Sequence, residues 1–237
     1  MANIELCASS ISSIIDSNKF NIDRIELCSE IGIGGVTPSI GFVEESLKYS
    51  KVPIRVLIRP RSGNFVYDKN EINVIKKDIL ILKKYPIEGF VIGFTDVSGN
   101  LLFEELKKVV EICDQKKLTF HRAFDVLKNP FNDVEKIIQL GFDTILTSGQ
   151  KENVNDGLEF IKEIKEFTGG KINIMPGGGI NNINIKKISS CNFNWIHLSS
   201  KKLLNTNKGY EKEISFLYQE IYGLDKKKLK DIISEIK

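Results

Sequence analysis

The sequence predicts an α/β protein, a (β/α)8 barrel of the TIM class, and two observations predict it. Short apolar runs alternate with longer segments of helical period, the pattern of a parallel α/β fold. Eight of each can be counted, and 237 residues is an ordinary length for one such barrel. An open doubly wound sheet usually has fewer strands and a nucleotide-type glycine loop after the first. That loop is missing, so no nucleotide cofactor is expected.

Strands are expected near residues 3–7, 24–28, 54–59, 89–92, 117–121, 143–147, 171–175 and 194–198. A helix is expected after each, at about 10–19, 39–50, 70–84, 101–116, 130–140, 153–166, 182–189 and 225–236. Pro130 after Asn129, and Asp225 before the last helix, are start signals. Pro38 and Pro60 punctuate loops. Residues 1–237 read as a single domain, with 203–223 an extra segment between the last strand and its helix. That segment carries Tyr210, Phe216, Leu217, Tyr218 and Tyr222, which suits it to cover a barrel mouth or form a subunit contact.

Side chains on a strand alternate between faces, so each strand sends one set under the helices and the other into the barrel. In Ile4-Glu5-Leu6-Cys7 the apolar pair goes outward, leaving Glu5 and Cys7 inside. The same parity in Ile25-Glu26-Leu27-Cys28 places Glu26 and Cys28 inside. On the third strand Val56 and Ile58 point out, Arg55 and Arg59 point in, and Arg61 continues that side into the loop. On the fifth, Phe120 faces out and His121 in; on the eighth, Ile196 and Leu198 face out and His197 in. Such an interior departs from the usual branched apolar layers. Buried charges must pair with one another or lie near the open C-terminal mouth and act on a ligand.

Composition excludes several classes. Basic and acidic residues number 34 and 31, and a net charge of +3 gives no reason to expect nucleic acid or an anionic membrane. No apolar run is long enough to cross a bilayer, and early Glu5 interrupts any signal-peptide core. Four cysteines without a Cys-x-x-Cys do not make a disulfide framework. The expectation is a soluble, reduced, cytoplasmic protein. No lysine falls at a strand C-terminus, which argues against Schiff-base chemistry.

Three motifs carry candidate chemistry. Arg59-Pro60-Arg61 presents two guanidiniums around a rigid proline, suited to carboxylate or phosphate; pairing with Glu5 or Glu26 is the structural alternative for Arg59. Thr147-Ser148-Gly149 and Gly177-Gly178-Gly179 end neighbouring strands, where glycine amides can cradle an anion or simply allow a turn. Thr119-Phe120-His121-Arg122-Ala123-Phe124-Asp125 groups a proton carrier, a cation and a carboxylate at one strand end. Cys7 and Cys28 face inward on adjacent strands. Soft thiolates suit Cu(I), for which two linear ligands suffice, although a buried cysteine more often packs as a small hydrophobe.

With these residues in place, the chain resembles the CutC family, named for copper homeostasis. The likeness runs through Glu5-Leu6-Cys7, Glu26-Leu27-Cys28, Gly34-Gly35-Val36-Thr37-Pro38-Ser39, Ile58-Arg59-Pro60-Arg61, Thr119–Asp125, Ile145–Gly149, Met175–Ile180 and His197. It departs after the fourth strand, where the family has Asp-Gly and then Ile-Asp and this chain has Ser98-Gly99-Asn100-Leu101-Leu102. The resemblance implies a TIM barrel, a cytoplasmic setting, a copper-related role and a homo-oligomer.

Two functions fit the residues. One is a copper protein that binds Cu(I) through Cys7 and Cys28. The other is an enzyme acting on a small anionic or phosphorylated substrate. In that case Arg59, Arg61, Arg122, Ser148, Gly177, Gly178, Gly179 and His197 would bind the anion. His121 would carry protons, Asp125 would orient it, and Glu5 or Glu26 would be the second carboxylate. In a purely structural reading the inner charges only satisfy one another.

Overall fold

The computed structural model describes residues 2–204 and 220–236. Eight parallel strands form the barrel wall: β1 (Asn3–Ala8), β2 (Arg24–Leu27), β3 (Ile54–Leu57), β4 (Gly89–Ile92), β5 (Lys117–Phe120), β6 (Thr144–Thr147), β7 (Asn173–Pro176) and β8 (Trp195–Leu198). Their order around the sheet is β7-β6-β5-β4-β3-β2-β1-β8, so the two ends of the ladder are sequence neighbours and the sheet is a nearly closed barrel. Around it lie α1 (Ile11–Ser17), α2 (Ile40–Tyr49), α3 (Lys69–Leu82), α4 (Phe103–Ile112), α5 (Pro130–Gln139), α6 (Val154–Thr168), α7 (Ile185–Ser189) and α8 (Lys226–Ser234). The predicted (β/α)8 class holds.

Local chemistry moved several ends. The fourth helix was expected to run to residue 116 but stops at Ile112, because Asp114 takes a left-handed φ of 60°. The third strand was expected to reach Arg59 but its ladder stops at Leu57. Thr37 from the β2–α2 loop replaces the next strand contact: its amide donates to Arg59 O at 2.9 Å and its Oγ1 accepts from Arg59 N at 2.8 Å. Asp225 caps α8 through Lys228 N at 3.0 Å, as its position suggested.

Two features were not anticipated. Short 3-10 turns, Ile31–Ile33 and Arg122–Val126, follow β2 and β5. After β8, β9 (Lys201–Leu204) pairs antiparallel with β10 (Ile221–Leu224). This falls in the segment assigned to residues 203–223, of which 205–219 lie outside the described residues. Within this hairpin Lys201 Nζ donates to Ile31 O at 3.2 Å, and the Tyr222 ring lies against Gly32.

The apolar core lies between barrel and helices. Outward residues such as Ile4, Leu6, Ile25, Val56 and Phe90 pack with Ile14, Val43, Ile75, Val109 and Ile232 of the helices. Inside the barrel the lower layer is ionic. Arg24 Nε donates to Glu5 Oε2 at 2.6 Å, and its guanidinium stacks 3.9 Å from the Trp195 ring centroid. Arg55 donates to Glu88 at 2.7 Å, to Asp143 at 2.8 Å and to Thr119 at 2.7 Å. Glu5, rather than pairing with Arg59, takes its guanidinium from the neighbouring strand. Arg24 and Glu5 are register partners there.

Removing one member of a buried pair strands the other charge, which typically costs about 3–5 kcal/mol. We predict a loss of that size for Arg24→Met in urea denaturation. Adding Glu5→Gln should recover part of it, because the orphaned carboxylate is then gone. Additive losses in the double variant would show that the two side chains do not stabilise one another.

Candidate functional site at the barrel mouth

At the C-terminal ends of the strands, where barrels of this class carry their chemistry, a cavity of ≈ 490 Å³ opens. One wall is built by β1, β2 and β8, and presents Cys7, Glu26 and His197. Their ligand atoms all lie within 4.8 Å of one another. Strand pairing accounts for the grouping: Cys7 is the register partner of Glu26, and Glu5 of His197.

His197 is fixed from below. Its Nδ1 lies 2.8 Å from Glu5 Oε1, which leaves Nε2 facing Glu26 Oε2 at 3.6 Å. Burial alone would raise the Glu5 carboxyl, but the Arg24 guanidinium and His197 outweigh it and hold its pKa at about 2. Glu5 is therefore an ionised acceptor, and His197 Nδ1 carries the proton. Burial pulls the His197 pKa down, yet Glu26 and Glu5 together bring it above the ordinary value. Glu26 goes up as well, chiefly through burial, with repulsion from Glu5 adding to it. A histidine whose far nitrogen is held by a carboxylate is the arrangement that orients imidazole ligands toward metals.

Cys7 Sγ lies 3.4 Å from Cys28 Sγ. Cys7 reaches the cavity, whereas fully buried Cys28 sits behind it, under Gly35. The hydrogen bond to Cys28, then burial, push the Cys7 thiol well above its ordinary pKa. Two metal–sulfur bonds laid end to end span about 4.6 Å. The thiols as placed are therefore too close for the two-ligand linear arrangement and suit a site that also takes a third donor. His197 and Glu26 offer donors within 4.8 Å of Cys7. The donor set fits a soft ion.

The opposite wall rises from β5, β6 and β7. His121, the residue after β5, is 4% exposed. Its Nδ1 accepts from Ala123 N at 3.1 Å, so the ring proton is on Nε2, which has no hydrogen-bond partner among the described residues. The ring fits because residue 93 is glycine: a Cβ there would come within 2.9 Å of Nδ1. Burial, then the Arg59 charge, hold its pKa down at about 3, so the ring is neutral at physiological pH. Phe65 packs on it with ring centroids 4.6 Å apart.

The other sequence-selected residues divide. Arg59 lines the cavity, but its Nη atoms donate to the carbonyls of Ile33, Gly35 and Gly63 at 3.1, 2.7 and 2.6 Å, pinning two loops. Arg61 turns away, joined to Glu71 at the start of α3. Arg122 lines the cavity, with Nε on Asp125 Oδ2 at 2.8 Å and Nη2 on Ser148 Oγ at 2.6 Å. Asp125 is also an anchor: it accepts from the amides of Ser148 and Gln150 and from the Thr147 hydroxyl. It makes no hydrogen bond to His121. Gly177 stays in the wall, its backbone N–H donating to Thr147 O at 2.9 Å, while Gly178 and Gly179 line the cavity. Glu5 lies beneath the cavity and reaches it only through His197. Sequence reasoning missed Phe65, Lys201 and the triad as a triad. Strand register would have signalled the last.

Fold and cavity together define a (β/α)8-barrel protein with a cavity at its C-terminal mouth, a class that hosts many unrelated activities. The sequence profile of the CutC family matches residues 2–202, and the chain belongs to that family. It is 39% identical to the copper homeostasis protein cutC homolog of Homo sapiens over 185 residues, 78% of this chain and 68% of the human protein. It is 37% identical to a CutC family protein of Glaesserella parasuis over 199 residues, 84% and 82% of the two chains. A CutC crystal structure from Streptococcus agalactiae superposes with a TM-score of 0.78 at 29% identity, covering 83% of this chain and 98% of that one.

The histidine makes a pH prediction. Between the ordinary histidine value of 6.5 and about 3, the unfolded chain binds a proton at residue 121 that the folded chain does not. Stability from this group is complete above that window and falls with pH inside it, by about 1.4 kcal/mol per unit. The stability of the protein relative to His121→Phe should fall by that slope as pH is lowered from 6 to 4. Curves that stay parallel would show that His121 is not buried neutral.

Proposed function

We propose that this protein binds one Cu(I) ion at the barrel mouth and serves copper homeostasis, as the name of its human relative describes for that protein. The observation that carries the reading is the Cys7 thiol, within 4.8 Å of the Glu5-oriented His197 and 3.4 Å from the second thiol, Cys28. Cys7, Cys28 and His197 would hold the ion, and thiolate sulfur with imidazole is a donor set selective for soft metals. Glu26, partner of Cys7 across the strand pair, stands where it can take the thiol proton that binding displaces. Four free cysteines are in keeping with a reducing, cytoplasmic setting. Among the described residues no helix is long and apolar enough to cross a membrane.

Since both thiols must lose protons and Cys7 holds its own tightly, affinity should rise with pH. Competition against a colorimetric Cu(I) chelator should return one tight site per chain. Cys7→Ser and His197→Phe should each weaken it by about 100-fold or more, on the scale of losses at oriented metal sites. Cys113→Ser is the control, because that thiol is buried on the far side of the wall against α4. Equal uptake by the Cys7→Ser and Cys113→Ser proteins would refute the assignment.

A further inference from the structure

A single ion occupies little of ≈ 490 Å³, a volume in the range that holds small organic ligands. The wall opposite the thiols, which the copper reading leaves unused, is rich in donors. Among the residues lining the cavity, Arg59, Arg122 and Lys201 face only two carboxylates, Glu26 and Asp125. Arg59 has no carboxylate partner among the described residues; it holds only carbonyls.

The backbone after β7 is turned to match. Gly178 and Gly179 have φ of 92° and 80°, a conformation closed to most other residues. Gly178 O accepts from Val154 N at 2.8 Å, and Gly179 O accepts from the side-chain Nδ2 groups of Asn181 and Asn184 at 3.0 and 2.9 Å. Both carbonyls are thus drawn toward α6 and the loop before α7. Because a trans peptide sets N–H opposite C=O, the amides of Gly179 and Ile180 point the other way. Neither has a recorded acceptor among the described residues, and both residues line the cavity. Arg122 Nη1 lies beside them: a Cβ on Gly178 would be 3.5 Å from it. On the same wall, the Nε2–H of His121 is a buried donor with no partner among the described residues.

We propose that these groups form an oxyanion subsite. The amides of Gly179 and Ile180, Arg122 and His121 Nε2–H would receive the phosphate or carboxylate of a small organic ligand, whose remainder reaches toward Cys7, Glu26 and His197. Amides and guanidinium forks are the donors that recognise such groups. The subsite goes beyond the copper reading and does not require a metal.

The test uses metal-free Cys7→Ser protein, so that failure of the copper site cannot mimic failure of this one. Inorganic phosphate and acetate are titrated separately while backbone amide resonances are followed. The expected result is a saturable shift of Gly179 and Ile180 with a dissociation constant of roughly millimolar order, with the tighter ion identifying the group. Arg122→Gln should weaken binding at least about fivefold, as expected for loss of a charge-assisted donor. Arg61→Gln, outside the cavity, should leave it unchanged. No saturable shift at those amides with either ion, or equal weakening by both arginine variants, would overturn the proposal. The amide map is read before Arg122 is altered, so misfolding of that variant cannot decide the question.

Discussion

Glu5 stands in the middle of the barrel, fully buried, with one carboxylate oxygen on Arg24 Nε and the other on His197 Nδ1. An ionised carboxylate away from water is tolerated only when both oxygens are satisfied, and here each satisfier does further work. Arg24 joins Glu5 to the lower ionic layer through Glu88, 3.6 Å away. His197 carries the constraint upward, since fixing Nδ1 fixes where Nε2 points. The geometry of the mouth is therefore inherited from the charge balance of the layer beneath it.

The two walls of the cavity have different chemistry because different strands build them. On β1, β2 and β8 the inward positions are a thiol, a carboxylate and an imidazole, joined by register. Around β5, β6 and β7 the site is made by residues just beyond the strands, where Asp125 gathers the loop after β6 and presents Arg122 and Ser148. Soft donors sit on rigid strands and N–H donors on pinned loops. Neither wall takes its charge partner from the other. That separation is why an ion and an organic anion could share the cavity.

Strand parity alone made much of this legible: Cys7, Glu26, His121 and His197 line the cavity, on the side their alternation required. What parity cannot supply is depth along the strand. Glu5 and Glu26 looked equivalent, yet the β1–β2 register sets Glu26 beside Cys7 and drops Glu5 one layer to Arg24. Glu88 and Asp143 flank strands rather than lie in them, so their role as partners of Arg55 left no periodic mark. Arg61 looked like a second ligand fork. Its fate was decided by Glu71, which also closes the capping box of α3 and so stands fixed beside the loop. Asp125 looked like an orienter of His121, but a 3-10 turn directs it to the β6 loop instead.

The Glu5-fixed imidazole and the Cys7 thiol are proposed to meet at one soft-ion site. Copper K-edge X-ray absorption on protein loaded with one equivalent of Cu(I) addresses it directly. The account predicts a first shell containing both sulfur and imidazole nitrogen, with the nitrogen lost in His197→Phe and the sulfur reduced in Cys7→Ser. A shell of oxygen and nitrogen alone, or one that both substitutions leave unchanged, would contradict it.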